Sequence, residues 1–257
     1  MSINYTIPGG SVRTDLLELI ENNHTLIAGT TGSGKSVLEN SILYNILLSH
    51  FPGSVSNGYG CKLILIDPKR VELINFVSVP HCIKYTDTAA GAVEVLKYTR
   101  AIIENRIEQM QRERRRTFDG CPIYIFIDEI VDLMTAKESK EITRILTDCI
   151  SISRAARVFF VICTQAPNRK ILKPEIVLNC SCRIALKCIS PIESRQIIDS
   201  PEAVDLPSHG QGIVIKGIDR YKIRIPLYSD YDIDDIITFW RRQHPILNYC
   251  NQKNKIV

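Results

Sequence analysis

Residues Gly29, Thr30, Thr31, Gly32, Ser33, Gly34, Lys35 and Ser36 read G-x-x-x-x-G-K-S, a spacing suited to holding phosphate. Glycines let backbone N–H groups curl around an anion, and a helix starting there adds its partial positive charge. Lys35 would reach the β- and γ-phosphates of ATP, and Ser36 would hold Mg2+. The second chemical element is the acid pair closing CPIYIFIDE, Asp128 and Glu129. An acid at the end of a buried strand lies beside the phosphate turn in a doubly wound sheet. Asp128 would hold Mg2+ through water, and Glu129 would orient and activate the attacking water. A glutamate at that place favours hydrolysis over nucleotide binding alone.

These groups need a strand before the turn and a helix after it. Thr25 to Ala28 are apolar and β-prone, and Val37, Leu38, Ile42, Leu43, Ile46 and Leu47 recur at helical spacing. The runs at 62–67, 123–127 and 158–163 are nearly continuous in Ile, Leu, Val and Phe. Strands buried on both faces look like that. The fold class is therefore α/β, a P-loop architecture: a mostly parallel sheet with helices on both faces. The later runs RIALKC, GIVIK and YKIRIPL, with Gly and Pro at their ends, predict a peripheral antiparallel addition. Helices are expected over 86–116, 138–153 and 232–244. The chain reads as one domain, 1–257, with its core over about 15–243 and ragged ends at 1–11 and 248–257.

Composition fits this. Of 257 residues, 45% are hydrophobic and 23% charged, an ordinary globular balance long enough for one large α/β domain. A net charge of +4 permits an acidic partner without requiring one. No apolar run approaches a membrane span, and no signal-peptide pattern opens the chain. Nine cysteines, mostly in apparent strands, suit buried thiols and a cytoplasmic setting. Cys180 and Cys182 have no partner pair at finger spacing, so no structural metal is expected. The scattered histidines form no nucleophilic triad. RERRR, Arg112 to Arg116, reads as the solvated end of the long helix, with phosphate contact or subunit docking as the alternative.

Several blocks together resemble the FtsK/SpoIIIE family of double-stranded DNA translocases. AGTTGSGKSV is similar to its phosphate turn. LIDPKRVEL, with Asp67, Pro68, Lys69, Glu72 and Leu73, resembles its segment after the second strand, and VPH follows. IDEIVDLM, SRAARVFFVICTQAP and CRIALKCISPIESRQIID resemble its later blocks. The resemblance, over about 15–243, implies a RecA-like ATPase motor that assembles as a homo-oligomeric ring, usually a hexamer, around duplex DNA. It implies that Arg154 is an arginine supplied in trans to a neighbour's ATP, and that Gln165 senses the γ-phosphate. A solvated arginine and a strand-end glutamine are the plainer readings. Arg195 matches a family arginine whose facing stays open.

Some positions depart from the family. Pro191 stands where the family has a lysine, leaving Lys187 as the nearest substitute. TQRP has become TQAP at Ala166, but Arg169, Lys170 and Lys173 follow. In the family this region faces the ring's channel, so these three are candidate contacts to DNA backbone. With no anchor before the motor and no winged helix after it, a phage, plasmid or integrative-element motor is expected. The rival readings are a protein-secretion ATPase of the EssC type, a conjugative coupling ATPase and a nucleotide switch.

Overall fold

Alternate side chains of the central strands enter different cores, which is what their unbroken apolar sequences require. In the strand Val158–Thr164, Phe159, Val161 and Cys163 join one cluster, while Val158, Phe160 and Ile162 join the other. The computed structural model describes residues 2–7, 10–53, 60–165 and 172–243. Eleven strands run through these residues: β1 (Ser2–Ile7), β2 (Gly10–Asp15), β3 (Thr25–Ala28), β4 (Phe51–Pro52), β5 (Gly60–Ile66), β6 (Cys82–Thr86), β7 (Ile123–Ile127), β8 (Val158–Thr164), β9 (Cys182–Ala185), β10 (Gln211–Lys216) and β11 (Asp219–Arg224). Their order is β2-β1-β11-β10-β9-β3-β8-β7-β5, with β4 and β6 both pairing β5.

From β9 to β6 every pairing is parallel, and from β9 outward through β10, β11, β1 and β2 every pairing is antiparallel. The antiparallel addition expected from the sequence therefore starts one strand later than predicted. β9 is itself parallel to β3, with Thr25 beside Cys182. The addition also extends further than expected, because Ser2–Ile7, read from sequence as part of a ragged end, pairs with β11 and β2.

Helices α1 (Lys35–Ser49) and α7 (Asp230–Gln243) cover one face, and Trp240 ties them by donating its indole N–H to the Leu47 carbonyl at 2.8 Å. Helices α2 (Ala89–Arg112), α3 (Ile130–Thr135), α4 (Ser139–Ile152) and α5 (Pro174–Asn179) cover the other. A smaller third core gathers Ile197 and Ile198 of α6 (Pro191–Ile198) with Ala185 and Ile213. Thr88 caps α2 by accepting from Gly91 N–H at 3.0 Å. The helix ends at Arg112, so Arg114 to Arg116 of the basic run lie beyond it, in the loop that leads to β7. Arg114 there turns left-handed, φ 53°. All eight cysteines among the described residues are buried free thiols. No helix among the described residues is long and apolar enough to cross a membrane.

Candidate nucleotide site

The turn between β3 and α1 sits at the C-terminal edge of the sheet. Its geometry needs its glycines. Gly32 and Gly34 take positive φ, 77° and 96°, and a Cβ on Gly29 would meet Leu186 Cβ at 2.6 Å. The N–H groups of Lys35, Ser36 and Val37 open α1 and find no acceptor within the helix, because its first bond runs from Leu38 N–H to the Gly34 carbonyl. The Ser33 hydroxyl is buried without a partner. A phosphate would satisfy both sets of donors. The turn floors a cleft of about 500 Å³ whose other walls include Glu72, Gln165, His209, Gly210, Ile225 and Leu227.

The chemistry-bearing side chains converge there. Lys35 donates to Asp128 at 2.5 Å, and both are buried. Burial works against the Lys35 ammonium. Cys163, Glu39 and Asp128 around it outweigh that, so its pKa lies above the ordinary lysine value. Ser36 donates to Glu72 at 2.6 Å. A Mg2+ ion fits this donor set, which offers hard oxygens from Ser36, Asp128 and Glu72. When bound it would neutralise charge on the β- and γ-phosphates.

Glu129 is left-handed, at φ 50° and ψ 70°, a conformation that costs on the order of 1–3 kcal/mol for a residue with a side chain. Its carboxylate is held firmly. Thr164 donates to it at 3.1 Å, Gln165 N–H reaches its two oxygens at 3.3 and 3.1 Å, and Lys69 lies at 3.3 Å. The Gln165 side chain in turn accepts from Thr31 of the phosphate turn at 3.0 Å. Glu129, the end of β8 and the turn before α1 thus form one connected set.

Residues 7–203 of this sequence match the FtsK/SpoIIIE family. The chain belongs to that family. It is 28% identical to the DNA translocase FtsK of Rhizobium meliloti (strain 1021), over 95% of this chain and 31% of that protein. Against the DNA translocase SftA of Bacillus subtilis (strain 168), identity is 30% over 95% of this chain and 26% of that protein. The chain therefore spans about a third or less of these two relatives. Among solved structures, the pCW3 conjugation coupling protein TcpA with ATPγS superposes with a TM-score of 0.75 at 20% identity, covering 92% of this chain and 69% of that one. EssC (ATPases 2 and 3) from Geobacillus thermodenitrificans gives 0.76 at 16%, covering 100% and 50%. At these identities both speak for the P-loop ATPase fold of the family.

Not every residue singled out from the sequence lies at the cleft. Arg154 is exposed in the turn after α4, before β8 begins, at the opposite end of the sheet. Arg195 is exposed on α6. Lys187, the proposed stand-in for a family lysine, donates to the Val204 carbonyl at 2.6 Å, so its ammonium is already engaged. Its own carbonyl accepts from Thr30 N–H at 2.9 Å. Lys173 is exposed just before α5, while Arg169 and Lys170 lie outside the described residues.

Other residues at the site had no role in the sequence reading. Lys69 and Glu72 were visible only as letters of a family block. Glu39 was not singled out, yet it is fully buried behind the turn with both oxygens unpartnered. Burial, then the Asp128 charge, pushes its pKa up to about 8 against the pull of Lys35. A glutamate one turn after Lys35 on the helix was the only available signal.

Proposed function

We propose that this chain is a Mg2+-dependent ATPase motor that moves along double-stranded DNA as a ring of identical subunits. The observation that carries the reading is the chain of contacts from Thr31 through Gln165 to Glu129. It connects the phosphate turn and the base to the strand that leads directly into the segment carrying Arg169, Lys170 and Lys173. Loss of the γ-phosphate would then be felt where DNA is held. The relatives named DNA translocases favour duplex DNA as the track.

Lys35 and the free N–H groups of the turn bind phosphate. Ser36 and Asp128 hold the cation, and Glu129 takes the proton of the attacking water. Arg154 cannot serve its own site from the far end of the sheet, so it acts, if on any nucleotide, on a neighbour's. A head-to-tail interface of that kind gives a ring when its rotation closes on itself.

The test is the ATPase rate at low salt with and without duplex DNA. Strong stimulation by duplex and none by unfolded protein is expected. The reverse pattern would favour the secretion-type reading.

A further inference from the structure

The segment after β5 touches the site twice, and neither contact belongs to phosphate binding as such. Asp67 organises it as one unit. Its carboxylate accepts from Arg70 N–H at 2.9 Å and from Leu73 N–H at 3.0 Å, and Asp67 itself is buried. Arg70 takes a left-handed φ of 59° and pairs with Asp87 at 2.7 Å. On this turn Lys69 reaches Glu129, and three residues later Glu72 reaches Ser36. A carboxylate has about four acceptor positions. On Glu129 three donors engage them: Thr164 on one oxygen, Lys69 on the other, and the single Gln165 N–H shared between both. Each oxygen is thus engaged twice, and an attacking water competes with these donors for the carboxylate. Of these donors Lys69 is the one on a flexible, part-exposed side chain.

We infer that Lys69 is a positioning residue that restrains Glu129, and that the 67–73 turn couples this restraint to Glu72 beside Ser36. The inference rests on the ATPase reading, because a restrained base matters only if there is hydrolysis. Because Asp67 holds the turn as one unit, Lys69 leaves the carboxylate when the turn moves, and Glu129 is then open to the attacking water.

The test is Lys69→Met, with steady-state ATPase measured in the absence of DNA and nucleotide affinity measured separately by a fluorescent ATP analogue. The expected result is an unstimulated rate raised about ten-fold, the scale of one charge-assisted contact. Nucleotide affinity should stay within about two-fold, since Lys69 is not assigned to phosphate. Lys69→Arg, which keeps a cation, should return the rate toward wild type. Adding Glu129→Gln to Lys69→Met should abolish the gain. A merely structural role for Lys69 would lower rate and affinity together. A folded Lys69→Met chain with normal affinity that turns over ATP no faster than wild type overturns the inference and leaves the ATPase reading standing. No hydrolysis by either chain removes both.

Discussion

Arg154 and Lys35 stand at opposite ends of two neighbouring parallel strands. Arg154 comes just before β8, Lys35 follows β3, and Ala28 at the top of β3 pairs with Thr164 at the top of β8. The seven residues of β8 alone separate the two ends by roughly 20 Å. Arg154 on one subunit and Lys35 on the next can share a nucleotide only across an interface. Mixing Arg154→Ala subunits with Lys35→Ala subunits should therefore restore part of the ATPase that each lacks alone. Exchange must be shown first, by labelled subunits. Mixed assemblies that stay inactive at every ratio would remove the trans role.

Within the site, Lys35→Ala and Glu129→Gln should fail in different ways. The first removes phosphate neutralisation and leaves Asp128 buried without its cation, which typically costs about 3–5 kcal/mol. Its melting temperature should fall along with ATP binding. The second keeps the turn intact and should bind ATP without hydrolysing it. Equilibrium binding beside a phosphate-release assay separates the two, and wild-type turnover by Glu129→Gln would show the base to be misassigned.

The proposed DNA contact has two competing places. Replacing Arg169, Lys170 and Lys173 together by Ala should weaken binding to many sequences alike, because backbone contacts carry no sequence information. The slope of log affinity against log salt should fall by about 0.9 for each DNA phosphate that the variant no longer neutralises. Unstimulated ATPase should survive. The rival is the run from Arg112 to Arg116, at the end of α2 and in the loop after it, exposed at the far end of the sheet. If neutralising that run removes stimulation by DNA while the triple variant keeps it, the contact lies there.

His24 makes stability depend on pH. It is buried, its Nδ1 accepts from Phe160 N–H at 3.1 Å, and its Nε2 lies 3.4 Å from the Ser153 hydroxyl. Burial, then the charge of Arg154, lowers its pKa from 6.5 to about 3. Between those values the unfolded chain binds the proton and the folded chain does not. The stabilisation is complete above pH 6.5 and declines as pH falls toward 3, by about 2 kcal/mol at pH 5. Glu39, whose pKa is raised, acts in the opposite direction, so the His24 contribution is read as a difference between two chains. From pH 7.5 to pH 5 the urea midpoint of wild type should fall relative to that of His24→Asn, whose side-chain oxygen can still accept from Phe160; equal changes in the two would remove the assignment.

The phosphate turn and the acid pair were legible because each is local: glycines, a lysine and a strand end announce themselves within a few residues. The parallel core was legible for a similar reason, since strands covered on both faces keep no polar side. The orientation of β9 was not, because it depends on a crossover through α5, whose six residues are too few to show a helical period. The parts played by Lys69, Glu72 and Glu39 were hidden too. They arise from which segments cross at the end of the sheet, and a one-dimensional pattern does not carry that.

One buried side chain limits how the far end of the molecule can behave. Arg106, inside α2, donates to the carbonyls of Ala156 and Cys121 at 2.8 and 3.1 Å, and Phe118 stacks over it while its N–H bonds to Ala155. The loops before β7 and β8 are thereby stapled to one helix. Any displacement of the Arg154 backbone would therefore pull on α2 and on both loops through Arg106.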